Sequence, residues 1–264
     1  MATSTLKEMM QHRRLKVGSS IFELGSPGIP HIIKAAGAEW VFIDMEHSGF
    51  SFESVKWLLQ SAKAAELPAF VRVPSSSYNH IARALDVGAE GVVLPMVASA
   101  DEARHIVDCT KYLPKGHRGV ALQVAHDDYR PGPVLNKLRG ANQRTAVMAL
   151  IETVPGLESV EEIAAVPGID CIGIGHFDLS NSLGVPGQFS HPRFRNAVKR
   201  VNAAALANKR SIFRMVASAA EAARLYREGT DLIAYSGDIW VLFQALQTGM
   251  DAVRKHCKGI KPPK

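Results

Sequence analysis

Apolar runs of strand length recur along the chain, at 17–22, 38–44, 68–74, 91–97, 145–152, 171–175, 211–217 and 231–237. They are nearly unbroken rather than alternating, the pattern of parallel strands covered on both faces. Between them lie stretches in which apolar residues return every three or four positions, at 29–37, 51–65, 79–87, 100–112, 156–166, 194–209, 219–229 and 239–257. In 51–65, Ser51 is placed to cap the helix, and Val55, Leu58, Leu59 and Ala62 share one face. Eight strand–helix units in one unbroken series predict an α/β fold, a single (β/α)8 barrel over 1–264. The competing doubly wound sheet needs a glycine-rich phosphate turn after an early strand, and the turn at 25–30, GSPGIP, is not of that form. The stretch 113–144, rich in Pro, Gly and charge, reads as a long functional loop.

Composition adds little and charge adds more. The chain has 264 residues, 47% hydrophobic and 21% charged, which excludes a disordered chain or a coiled coil. The longest apolar runs fall short of a membrane span and the N-terminus lacks the apolar core of a signal peptide, so a cytoplasmic protein is expected. The net charge of +6 is concentrated at the ends, with +3 in residues 1–16 and +5 in 254–264, leaving −2 for the body. This reads as two solvated basic tails on a body without a basic face, which argues against nucleic-acid binding. Cys109, Cys171 and Cys257 form no CxxC pair and are read as idle thiols.

Barrel enzymes draw their chemistry from the C-terminal ends of the strands. The polar residues there are Asp44, Glu46 and His47 after the second strand, Arg72 on the third and Glu152 after the fifth. The sixth leads into Gly175, His176, Phe177 and Asp178, the seventh carries Arg214, and Ser236 and Asp238 end the eighth. Lysine is missing from this set, so a Schiff-base mechanism has no evident amine. Glu152 and Asp178 lie at neighbouring strand ends, where two carboxylates can share one hard divalent cation. The alternative is that each caps the helix that follows. Arg72 either points into the barrel mouth or pairs structurally with a carboxylate. His47 is a general-base candidate or an ordinary loop histidine. A second metal cluster at His126-Asp127-Asp128 is disfavoured because consecutive side chains diverge.

Six segments together resemble the HpcH/HpaI aldolases, metal-dependent pyruvate aldolases of the phosphoenolpyruvate-binding barrel superfamily: IDMEHSGFS at 43–51, FVRVP at 70–74, LDVGAEGVVLPMV at 85–97, YLPKGHRG at 112–119, IET at 151–153 and IGHFDLSNSLG at 174–184. The resemblance runs in order over about 15–250. It implies that Glu152 and Asp178 hold a divalent metal (Mg2+, Mn2+ or Co2+), that Arg72 contacts the 2-oxo oxygen, and that His47 does acid/base work. It further implies that Asp86 pairs with this histidine across a subunit boundary, in a homohexamer (a trimer of dimers) that exchanges its last helix. Three places depart from the family pattern: Leu150 stands for a glutamine, His176-Phe177 for a proline and a small residue, and 121–132 is atypical. With Gly175, these line the expected substrate site, so they bear on substrate choice.

The resemblance therefore implies a carbon–carbon lyase acting on a small 2-oxo acid and an aldehyde. It would cleave a 4-hydroxy-2-oxo acid to pyruvate, or a close relative, through an enolate stabilised by the cation and Arg72. Two alternatives stand beside it. One is an acyl-thioester lyase of the same superfamily, which should lack the D-x-EH segment. The other is a non-catalytic 2-oxo-acid-binding protein, favoured only by Leu150 and His176-Phe177.

Overall fold

Each apolar run becomes a strand, and the order around the sheet is the order along the chain. The computed structural model describes residues 4–260. After a short helix α1 (Leu6–Met10), eight parallel strands close into a barrel: β1 Lys16–Ile21, β2 Trp40–Asp44, β3 Ala69–Arg72, β4 Gly91–Leu94, β5 Ala146–Ile151, β6 Cys171–Ile174, β7 Ser211–Val216 and β8 Leu232–Gly237, with β8 pairing back to β1. The connecting helices are α2 Ile29–Ala35, α3 Phe52–Ala64, α4 Tyr78–Asp86, α5 Ala100–Thr110, α6 Val134–Arg144, α7 Val154–Glu158, α8 Val160–Ala165, α9 His176–Ser182, α10 Pro192–Ala207 and α11 Ala219–Arg227, and α12 Asp238–Cys257 closes the chain. No helix among the described residues is long and apolar enough to cross a membrane.

Alternation along each strand divides the core into two layers. Trp40, Phe42, Phe70, Met148, Leu150 and Phe213 fill the barrel interior. Val41, Ile43, Val71, Ala149, Ile172 and Ile212 pack outward under the helices. Large interior rings need small partners in register. Gly18 pairs with Trp40 and Gly91 with Phe70. A Cβ at either glycine would come within 2.6 Å of the facing ring.

Three expectations are corrected. Residues 4–16 are not a solvated tail: α1 plugs the N-terminal mouth of the barrel, with Leu6, Met9 and Met10 buried in the interior cluster. Thr5 and Glu8 form a capping box at its start. Its charge is neutralised locally, Lys7 by Asp170 and the fully buried Lys16 by Asp231, both at 2.7 Å. At the other end, the basic stretch begins inside α12, with Arg254–Cys257 exposed. The outermost residues of both stretches, 1–3 and 261–264, lie outside those described.

The second correction is that the long loop is shorter than expected. It contains a 3-10 turn at Ala125–Asp127 and ends at α6. Only Ala141 and Asn142 of α6 are buried, so the apolar stripe is too narrow to announce a helix. Asn142 holds it in place by exchanging two hydrogen bonds with the backbone of Tyr112, at 2.8 and 2.9 Å. Third, the helix expected at 156–166 is two short helices, α7 and α8, meeting at Ser159.

Candidate active site

The C-terminal ends of β2, β3, β5 and β6 bring one arginine, Arg72, to the same mouth as four carboxylates, Asp44, Glu46, Glu152 and Asp178. Strand register sets Asp44 opposite Arg72. Asp44 is fully buried and accepts Arg72 Nε and Nη2, both at 2.8 Å. Its oxygens also accept the backbone N–H groups of Glu46 (3.0 Å) and His47 (3.2 Å). One carboxylate thus fixes both the guanidinium and the turn that carries Glu46 and His47. Arg72 Nη1 remains directed to the mouth, 3.1 Å from Glu46 Oε2. Below it, Phe42 and Phe213 stack at 5.8 Å and make an apolar floor.

Glu152 follows β5 and is only 1% exposed. Its Oε2 accepts the N–H of Met96 at 2.8 Å, offered from a residue in the left-handed region at φ 55°. Its Oε1 lies over Gly175, where a Cβ would collide with it, so only glycine permits this approach. Burial pushes the carboxyl up to about 7; the Met96 N–H opposes this, Glu46 and Asp178 add repulsion, and Arg72 offsets part of it. Burial likewise raises Glu46, against Arg72 and His47 and with help from Asp44 and Asp178. Asp178 sits in the first turn of α9. Glu152 and Asp178 are the carboxylates that could share a divalent cation, a hard ion that takes oxygen ligands; the described residues contain no group of three or more His, Cys, Asp or Glu side chains placed to hold one.

The remaining expected residues divide. His47 is at the rim, more than half exposed, its Nε2 3.7 Å from Glu46 Oε2. Leu150, Gly175, His176 and Phe177 all line the same cleft, of about 1420 Å3. His176, Phe177 and Phe189 form a mutual aromatic cluster with centroids 4.6 to 5.3 Å apart. Burial and nearby Arg214 hold the His176 imidazole down to about 4, hence neutral at pH 7.

Asp86 does not join them. It ends α4, the helix that returns the chain to the N-terminal face of the barrel, and pairs there with Arg118 at 2.5 Å. Within one protomer it cannot assist His47. Asp238 is likewise occupied, accepting the N–H groups of Phe22, Glu23 and Leu24. In 126–128 the side chains diverge as expected, Asp127 to Lys137 and Asp128 to Lys63. The sequence reading missed Glu46 as a third carboxylate and Asp44 as the anchor of Arg72. Their signal was present in the D-x-E-H spacing, but the register that pairs Asp44 with Arg72 was not.

The arrangement can bind a small acid at its 2-oxo and carboxylate oxygens and hold a base beside it. The profile of the HpcH/HpaI aldolase/citrate lyase family matches residues 23–243. A hydroxypyruvate/pyruvate aldolase of Paraburkholderia phytofirmans is 36% identical over 91% of this chain and 96% of its own. A 5-keto-4-deoxy-D-glucarate aldolase of Klebsiella pneumoniae is 30% identical over 88% and 90%. The crystal structure of an HpcH/HpaI aldolase from Desulfitobacterium hafniense superimposes with a TM-score of 0.91 at 31% identity, covering 98% of this chain and 99% of that one. With a barrel mouth built from Arg72, Glu152 and Asp178 and a match over most of its length, the chain belongs to the HpcH/HpaI aldolase/citrate lyase family, a family of carbon–carbon lyases.

Proposed function

We propose that the protein is a divalent-cation-dependent aldolase that cleaves, or forms, a 4-hydroxy-2-oxo acid from pyruvate or a close 2-oxo acid and an aldehyde. The observation that carries this is that Arg72, locked by Asp44 and 3.1 Å from Glu46, shares one cleft with Glu152 and Asp178. Glu152 and Asp178 would hold Mg2+, Mn2+ or Co2+. When bound, the cation supplies a Lewis acid for the carboxylate and 2-oxo oxygens of the substrate. Arg72, locked by Asp44, offers Nη1 as a fixed donor to the 2-oxo oxygen, where charge develops as the carbon–carbon bond breaks. His47 accepts the 4-hydroxyl proton in cleavage and returns it in synthesis. Leu150 and Phe42 keep the floor apolar, which strengthens these interactions. The names of the aldolase relatives, for pyruvate, hydroxypyruvate and keto-deoxy sugar acids, support the same donor half.

The reading includes a homo-oligomer, a hexamer built as a trimer of dimers. None of the twenty residues of α12 is buried, although it carries Trp240, Phe243, Leu246, Met250 and Val253. An apolar helix left uncovered in one protomer is supported by packing on another. A second copy is also the route by which Asp86 would reach a His47. Divalent-cation-dependent release of pyruvate from a 4-hydroxy-2-oxo acid tests the function. Cleavage of only an acyl-thioester substrate, or pyruvate binding without turnover, would instead favour one of the two alternatives.

A further inference from the structure

The cleft extends outward from the barrel mouth, and there it contains a charge left unsatisfied among the described residues. In β7, Phe213 faces the interior while Ile212 and Val216 join the outer layer, so Arg214 also points outward, toward α10 and α11. It is 4% exposed, lines the cleft, and its Nε has no hydrogen-bond partner among the described residues. The two carboxylates that act on it at longer range, Glu221 and Glu228, are both engaged by Arg224, at 3.9 and 3.1 Å. A buried guanidinium without a counter-charge is costly, and such groups are normally paired.

Two more features of the same wall point to a ligand. Asn202 on α10, 6% exposed, has its Oδ1 without a partner among the described residues, an acceptor open to a hydroxyl. This arm of the cleft carries Arg195, Lys199, Arg214 and Arg224 against Glu221 and Glu228, an excess of two positive charges. It is continuous with the mouth through His176, whose ring is acted on by both Arg214 and Asp178.

We propose that Arg214 is a specificity-determining residue that receives an anionic group, a carboxylate or a phosphate, at the far end of the aldehyde component. The aldehyde is then an acid, long enough to reach from the carboxylates at the mouth to β7. This rests on the aldolase reading above, and the test separates the two.

Aldol addition of pyruvate is measured with an aldehyde ending in a carboxylate and with the neutral aldehyde of equal length, in the wild type, Arg214→Met and Arg214→Lys. The expected result is that the wild type prefers the acid. The ratio of kcat/KM, acid over neutral, should fall about 10- to 100-fold in Arg214→Met, mainly through KM, with partial recovery in Arg214→Lys. A ratio that is unchanged, or a wild type that prefers the neutral aldehyde, overturns the proposal. The second arm needs no turnover: calorimetric titration with succinate and, separately, with inorganic phosphate. Saturable binding that Arg214→Met abolishes supports the anion site even if no aldehyde reacts, and the titrant that binds identifies the anion. Failure of both titrants to bind, or binding indifferent to the variant, overturns it. So does a variant that changes only the oligomeric state, since Arg214 would then meet a second copy of the chain.

Discussion

Asp44 spends both carboxylate oxygens on four donors, two from Arg72 and two from the turn at Glu46 and His47. The proposed base and the proposed oxyanion donor are therefore set by one buried group, which would preorganise their geometry before substrate arrives. His47 itself is exposed at the rim, with its ring 3.7 Å from the Glu46 carboxylate. Replacing it should therefore remove proton transfer without disturbing the cation site. His47→Ala is expected to keep pyruvate and cation binding, read by calorimetry, and to lose roughly 10²–10⁴-fold in cleavage rate. Undiminished cleavage would return His47 to an ordinary loop residue.

At the scale of elements, the barrel is legible because its strands are unbroken apolar runs, and each strand end maps directly onto one position of the mouth. That mapping is why Arg72, Glu152 and Asp178 can be named from the chain alone. The elements that escape are those whose burial is not periodic. Helix α1 is a single turn whose apolar positions Leu6, Met9 and Met10 are outweighed, in any count of charge, by Lys7, Arg13, Arg14 and Lys16. Helix α6 is held by Asn142 rather than by an apolar stripe. Asp86, which the resemblance assigns to a neighbouring subunit's site, lies at the far end of its own barrel.

The junction of α5 with β5 offers a test of that N-terminal face. Burial, with Lys7 adding repulsion, pushes the Lys111 ammonium down to about 7, while its Nζ donates to the carbonyls of Asn142 (3.2 Å) and Thr145 (2.7 Å). In the unfolded chain the group titrates at about 10.4. Between these values the unfolded chain holds a proton that the folded protein has released, so the contribution of Lys111 to stability rises with pH across that window. Urea unfolding of the wild type and Lys111→Met at pH 7 and pH 10 should show the wild type gaining relative to the variant at pH 10. A difference independent of pH would contradict the burial of the charge.

For the whole molecule, the exposed apolar α12 is the feature that a single protomer does not explain. On the opposite side of its strand, the outward residues Val17 of β1 and Tyr235 of β8 are also exposed, so one flank of the barrel lacks the helix that would cover it. An exchanged α12 would cover such a flank in a second copy. Light scattering at micromolar concentration is expected to give a multiple of the 28.6 kDa chain mass, six for the hexamer. A monodisperse monomer would contradict the exchange and leave Asp86 without a route to His47.

The central claim is that carbon–carbon cleavage depends on a divalent cation held by Glu152 and Asp178. With two protein carboxylates as direct ligands, such a site exchanges its ion readily and should empty under a chelator. The decisive measurement is pyruvate release from a 4-hydroxy-2-oxo acid by enzyme treated with excess chelator, then resupplied with Mg2+, Mn2+ or Co2+. The account predicts loss of cleavage on chelation and recovery on resupply, with no recovery in Glu152→Gln or Asp178→Asn. Full activity in the chelator, or a covalent imine trapped by borohydride in the presence of pyruvate, would contradict it.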